Sequence, residues 1–251
     1  MSLLQYMLTL FRKYFLLFLL FVSPLCVLGQ DEEPTPIGQS SNDEDTPAAP
    51  KQYYIMSPRV SVTVPHPMAN SSFKKCFVGI YEVSGGMNFY LHKGIFLGVT
   101  GKNGLLKITE NKIADYNASL SINNIGGKLG GDVYIGEKNK VIYSLSVSAG
   151  KNWAKYSGLV SKDPNNPPAL TTYSCSYVEP ETNLFFLIES NFGIGVTVSY
   201  SIFSKNFDPY ELRLNDWTSF GKDNTGSTQY LSFGFGFYYS LIQKKKRKSG
   251  Y

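Results

Sequence analysis

The 251-residue chain has a formal net charge of +5 and is 43% hydrophobic, 15% aromatic and only 17% charged. That balance excludes disorder throughout, three cysteines exclude a disulfide framework, and the absence of a long apolar run beyond the first thirty residues excludes a bundle of membrane helices. One domain of about 150–200 residues fits once a leader is set aside.

Residues 1–29 read as a secretory signal peptide. Arg12 and Lys13 close a positive n-region, Phe15 to Val22 form an unbroken apolar core, and Val27 and Gly29 sit where a cleavage site needs them. The alternative is an uncleaved anchor helix. Cys26 follows the bulky Leu25, unlike a lipoprotein signal, which leaves Cys76 and Cys175 in the mature chain with no metal or catalytic spacing. Residues 30–52 are acidic and proline-rich, with Asp31, Glu32, Glu33, Asp43, Glu44 and Asp45 among four prolines. Such a stretch buries too little surface to offset chain entropy and is expected to be a disordered linker. Residues 53–243 are expected to form a β-barrel domain. Residues 244–251 are a basic tail with Lys244 to Lys248 at its head, a solvated run or a contact with anionic headgroups.

In the body the hydrophobic period is two. Leu231, Phe233, Phe235, Phe237, Tyr239 and Leu241 alternate with Ser232, Gly234, Gly236, Tyr238 and Ser240. The same pattern runs through 192–202, through Val141–Ser148, and through 116–123, where Tyr116, Ala118, Leu120 and Ile122 make the apolar row. Alternation over eight or more residues marks strands. The spacing predicts eight: 76–91, 94–101, 114–125, 128–137, 140–150, 171–189, 192–204 and 228–242. Splitting the sixth at Pro180 and adding Arg59–Val64 gives ten. Gly126-Gly127 reads as a two-residue hairpin turn. Lys151–Leu170 and Lys205–Gly226 read as long loops.

The row opposite the apolar one decides which side faces out. Soluble surfaces carry about a quarter to a third charged residues. Here the second rows of the three cleanest strands hold Gly, Ser, Thr, one Ile and one Tyr with no charge, and small neutral side chains suit the narrow interior of a small barrel. The apolar row then faces lipid, and Tyr116, Phe192, Phe203, Tyr230 and Tyr239 are placed as interfacial girdles. In lipid an all-β span must close. The fold class is therefore all-β, a closed antiparallel up-and-down transmembrane β-barrel.

The alternating strands, the leader and the aromatic row of Gln229–Leu241 resemble the small outer-membrane β-barrel proteins of the OmpA-barrel and OmpX-like class, in a Gly/Ser/Asn/Tyr-rich style similar to that of barrels from Bacteroidota. The resemblance implies the cell outer membrane as location, and outer-membrane lipid and the barrel-assembly machinery as partners. It also implies an assembly signal in the closing strand, for which Tyr239 is the candidate. Here Gln243 to Tyr251 follow that strand, where the class usually ends on the aromatic.

Chemistry is not evident. His66 and His92 have no ligand cluster, no G-x-S-x-G elbow occurs, and Gly126 to Gly131 lack the ending of a phosphate loop. Asp132 and Glu189 read as a buried polar network or strand-end charges. No catalytic, cofactor-binding or metal residue is expected, and neither an enzyme nor a nucleic-acid binder. The expected role is structural, or an interaction with an extracellular or envelope partner through loops 151–170 and 205–226, with Trp153, Tyr156, Tyr210 and Trp217 as contacts. A small channel or transporter, or a soluble secreted β-barrel or sandwich that binds a ligand, are the alternatives.

Overall fold

A computed structural model describes residues 53–243 apart from 93, 109–112, 114–115, 137–139, 190 and 221–225. The expected leader, linker and basic tail lie outside the described residues. Among the described residues nine strands, one short α-helix and a 3-10 turn follow in chain order: β1 (Tyr53–Pro67), α1 (Ser71–Cys76), β2 (Phe77–His92), β3 (Ile95–Ile108), β4 (Ala118–Ile135), β5 (Val141–Ser157), β6 (Thr172–Leu187), β7 (Phe192–Phe207), the 3-10 turn (Leu214–Asp216), β8 (Gly226–Tyr239) and β9 (Leu241–Gln243). Each of β2 to β8 pairs antiparallel with the next, and β1 closes the ring by pairing with both β8 and β2. The three-residue β9 continues β8 past Ser240 and pairs with the start of β1. The result is a closed barrel of eight strands, which leaves no edge in lipid.

The count of eight agrees with the sequence reading, but the strands differ in three places. Residues 114–125 and 128–137 are not a hairpin. Gly126 and Gly127 lie in mid-strand in β4, paired with Gly150 and Ala149 of β5. The missing strand is supplied by β1, of which Arg59–Val64 is the centre. As the eight-strand reading had it, the segment 171–189 is a single strand (Thr172–Leu187) through Pro180, which opposes Val147. The ladder to β7 skips residues 179–180 and resumes in the same register at Glu181 and Ser199. Strands 94–101 and 140–150 run on to Ile108 and Ser157, so the predicted loops shrink to 158–171 and 208–225.

These shifts sort the connections by length. The turns at 93–94, 136–140 and 188–191 lie at one end with the start of β1 and the end of β9. The connections 68–76, 109–117, 158–171 and 208–225 lie at the other. Positive φ at Gly94 (83°) and Gly136 (84°) lets two of the turns reverse tightly. The turn at His92–Gly94 thus lies at the short-turn end, whereas counting the eight predicted strands from 76–91 puts it at the same end as the long loops. Short turns at one end and long loops at the other are the habit of outer-membrane barrels.

The two central glycines of β4 separate packing from exposure. A Cβ at Gly126, which faces inward, would lie 2.4 Å from the Ala149 carbonyl oxygen and 2.6 Å from Tyr177 Oη, whereas one at Gly127 would meet nothing within 4 Å. Gly126→Ala is expected to cost about 1–3 kcal/mol by overpacking, and Gly127→Ala within about 0.5 kcal/mol of nothing. Urea titration of the two variants in detergent checks the contrast.

Candidate functional site

Along β8 the side chains of Phe233, Phe235, Phe237, Tyr239 and, beyond the break, Leu241 point outward and are exposed, while Tyr230, Ser232, Tyr238 and Ser240 point in and are buried. The ladder carries the outward row around the wall: Val60, Val62 and Val64 on β1, Leu97 and Val99 on β3, Leu129 and Val133 on β4, Ile194 on β7. These form a continuous apolar belt. From Leu231 to Leu241 the belt spans eleven residues of chain, enough for a tilted strand to cross a bilayer core.

Behind the belt the interior is charged, against the expectation of small neutral side chains alone. Nearest the short turns, Arg59 of β1 reaches across the lumen. Its guanidinium lies 2.5 Å from Asp132 Oδ2 and donates to Ser144 Oγ at 2.6 Å. It sits 4.9 Å from the centre of the Phe96 ring, 5.3 Å from Tyr238 and 5.5 Å from Phe185, a desolvated cation–π cage. The Tyr90 hydroxyl donates to the same Asp132 oxygen. One step up, Lys128 Nζ meets Glu181 Oε1 at 2.9 Å, and Asn183 donates to that oxygen at 2.8 Å. Above it Lys102 Nζ lies 3.0 Å from Glu82 Oε1 and 2.6 Å from Glu179 Oε2, with Thr63 and Ser201 donating to the two carboxylates. Asp132 therefore belongs to a buried polar network, and Glu189 is an exposed charge at a strand end, as the sequence suggested. The other six charges escaped because no inward row holds more than two of them, set among Ser, Thr, Asn and Gly. The spacing Arg59-x-Ser61-x-Thr63 and Glu179-x-Glu181-x-Asn183 was the available signal. The enclosed void beside Arg59, Lys128 and Glu181 measures about 10 Å³, space for about one water.

Above the charged layers the polarity of the wall inverts. Ala118, Leu120 and Ile122 of β4 point inward and are buried, while Ser119, Ser121 and Asn123 point out. The inward groups join Phe77, Leu106, Ile108, Tyr156, Tyr177, Phe203 and Tyr230 in an apolar plug. The α1 helix lowers Phe73 into it, where the ring lies 5.1 Å from Phe77 and 5.3 Å from Phe207. Asn70 caps α1 by accepting from Phe73 N at 2.9 Å, and its amide ties the Phe207 and Gly226 carbonyls. Leu212 and Leu214, from the last loop, close the plug from above. Burial raises the pKa of the Tyr116 phenol, which lies at the rim. Tyr116, Phe203 and Tyr230 are thus parts of the plug and not of an interfacial girdle, whereas Tyr239 does face outward. Cys76 and Cys175 are both buried in the plug and are not joined by a disulfide.

The long loops are bonded to one another. Ala169 N donates to Glu211 O at 3.0 Å, Trp217 Nε1 to Val160 O at 3.1 Å, and Lys75 Nζ to Ser219 O at 2.9 Å. The Trp217 ring packs edge-on to Tyr116 at 5.3 Å. Of the expected loop contacts, Tyr210 is exposed on the loop and Trp217 is half-buried beneath it. Trp153 faces outward from β5 itself, and Tyr156 points into the plug. Among the described residues no group of three or more His, Cys, Asp or Glu side chains is placed to hold a metal ion. His66 points outward from β1.

No family model and no curated protein matches the sequence. Among solved structures the chain is similar to Neisserial surface protein A (10% identity, 74% of this chain and 97% of that one, TM-score 0.45). It is similar also to the outer membrane protein OprG from Pseudomonas aeruginosa (8%, 76% and 98%, 0.41). A third is Ail, the attachment invasion locus protein of Yersinia pestis (14%, 73% and 97%, 0.38). By its own closed ladder and outward apolar belt, this chain is a membrane-spanning antiparallel β-barrel of eight strands.

Proposed function

We propose that the protein is a non-conducting outer-membrane barrel whose loop end serves as a rigid interaction surface for an extracellular or envelope partner. Residues 1–29 act as its export signal and 30–52 as a spacer in this reading, with the barrel-assembly machinery and outer-membrane lipid as its partners in the envelope. The observation that carries it is the sealing of the loop end. Phe73, Phe77, Phe207, Leu212 and Leu214 fill the lumen under loops that are cross-bonded to each other. Loops tied to a packed core present a surface with little ordering left to lose on binding. Tyr210 and Val160, about half exposed on that surface, are suited to act as anchors.

A channel needs a continuous polar path, and three ion-paired layers below an apolar plug do not support one. A soluble binder would cover its apolar row, and here that row faces outward all around the wall. Reconstitution in planar bilayers is the test. The expected result is a flat current trace at all voltages up to membrane breakdown. Discrete, reproducible conductance steps from purified protein would overturn this reading and favour the channel.

A further inference from the structure

Just above the belt, the outer wall of β3 to β5 carries Lys107, Lys151 and Lys155, all exposed, together with Trp153, half exposed. Lys151, Trp153 and Lys155 are alternate residues of one strand and share its outward face. The ladder sets Ile125 beside Lys151, Asn123 beside Trp153, and Ser121 beside Lys155, while Ser119 stands between Lys107 and Ser157. The three lysines therefore border a neutral polar strip one strand wide, Ser119, Ser121 and Asn123 of β4. Among the described residues, no carboxylate lies on the outward wall of β3 to β6 at this height. Among the described residues, the other half of the ring at the same height presents Ser204, Asn206, Ser227 and Gln229, and its one cation on β7, Lys205, is paired with Glu211 at 2.9 Å. Positive charge with no carboxylate beside it is thus concentrated in this one sector, and next to it an open groove of about 420 Å³ is lined by Asn123, Trp153, Lys155, Thr172, Tyr173 and Ser174.

What lies under this sector is continuous with the lipid belt. Gly101 follows directly below, paired with Ile125, and Gly127 lies below that, between Val99 and Ala149. A Cβ at Gly127 would meet nothing, so packing within the barrel does not demand the glycine there. Gly101, Gly127 and Ala149 leave the belt low beside the exposed side chains of Val99 and Ile125, just under the lysines.

Resting on the membrane reading above, we propose that this sector holds one multiply phosphorylated lipid of the surrounding leaflet. Its phosphates lie among Lys107, Lys151 and Lys155, its headgroup rests against the Trp153 indole, and an acyl chain runs down over Gly101, Gly127 and Ala149. Charge complementarity favours a headgroup with more than one phosphate, because three cations converge on one neutral strip with no acid to answer them. Indole and ammonium groups are also the side chains that favour the headgroup level.

The test uses the full chain in detergent micelles doped with a diphosphorylated glucosamine lipid, with retention read by native mass spectrometry. One lipid per barrel is expected on the wild type. K107Q/K151Q/K155Q is expected to weaken retention by about a hundredfold, taking each lysine at an anionic surface as about fivefold. K74Q/K140Q, which removes exposed lysines elsewhere, is expected to leave it unchanged. G127L raises the belt at that low place without touching the interior and is expected to weaken retention while the folded mobility on unboiled gels stays the same. Wild-type retention in the triple variant overturns the headgroup site, and wild-type retention in G127L overturns the acyl path. Equal retention of phosphatidylglycerol overturns the preference for several phosphates. Displacement by millimolar inorganic phosphate shows a free-anion site and overturns the lipid as occupant. A barrel that still needs detergent for extraction yet retains no lipid fails this proposal alone. One that leaves the membrane without detergent fails the membrane reading itself.

Discussion

Replacing Arg59 with methionine is expected to destabilise the barrel by about 3–5 kcal/mol, the cost of stranding a buried carboxylate without its cation. Arg59 is buried, and Asp132 gives up both water and its principal countercharge when the guanidinium goes. Methionine keeps most of the volume inside the ring cage of Phe96, Phe185 and Tyr238, so the loss reports charge and not a cavity. The companion R59M/D132L removes both charges and is expected to recover most of the stability, since an apolar pair of similar volume often equals a buried ion pair. Urea titration in detergent, scored by the folded mobility on unboiled gels, measures both. An R59M midpoint equal to the wild type would mean that water reaches Asp132 through the turn end.

The second large effect is expected at Phe77, where β2 begins under the α1 helix. Its ring is buried and meets Phe207 edge-on at 5.7 Å and Phe73 at 5.1 Å. Phe77→Ala is expected to cost the plug about 3–5 kcal/mol through lost burial and the cavity left behind. The loops above lose their support, so trypsin cleavage at Lys162 and Arg213 is expected to quicken in proportion. The lipid-facing belt does not touch Phe77, so the variant is expected to keep its folded gel mobility at room temperature. Unchanged cleavage would show that the loops are held by their own cross-bonds and not by the plug.

The period-two rows of β7 and β8 displayed the closed barrel openly, because their apolar side chains stay on one face for the length of the belt. β4 was misread for a definite physical reason. Its apolar residues occupy even positions up to Ile122 and odd positions from Ile125 onward. In a sequence such a change of parity looks like a reversal of the chain, and Gly126-Gly127 offered a turn at that point. In the structure the strand runs straight, and its surroundings change instead. Below Asn123 the outside is lipid and the lumen is charged; above it the outside is polar and the lumen is apolar. The same crossing hid the continuation of β5 through Tyr156, and it placed Tyr116, Phe203 and Tyr230 in a girdle when they fill the plug. The ion pairs of the lumen were illegible for another reason. Glu82 and Lys102 meet across the β2–β3 hairpin, but Glu179 comes from β6 on the far side of the ring, and only closure brings its carboxylate to 2.6 Å from the lysine.

The length of β4 sets a distance. Eighteen residues of strand, at about 3.3 Å each and tilted by roughly 40°, rise about 45 Å, whereas the lipid band takes about 25 Å. Some 20 Å of walled barrel therefore stands clear of the hydrocarbon like a turret, with its loops at the parapet. A partner of the kind proposed, approaching from solution, would meet Tyr210 beyond the depth of the headgroups. A partner confined to the membrane plane meets only the wall.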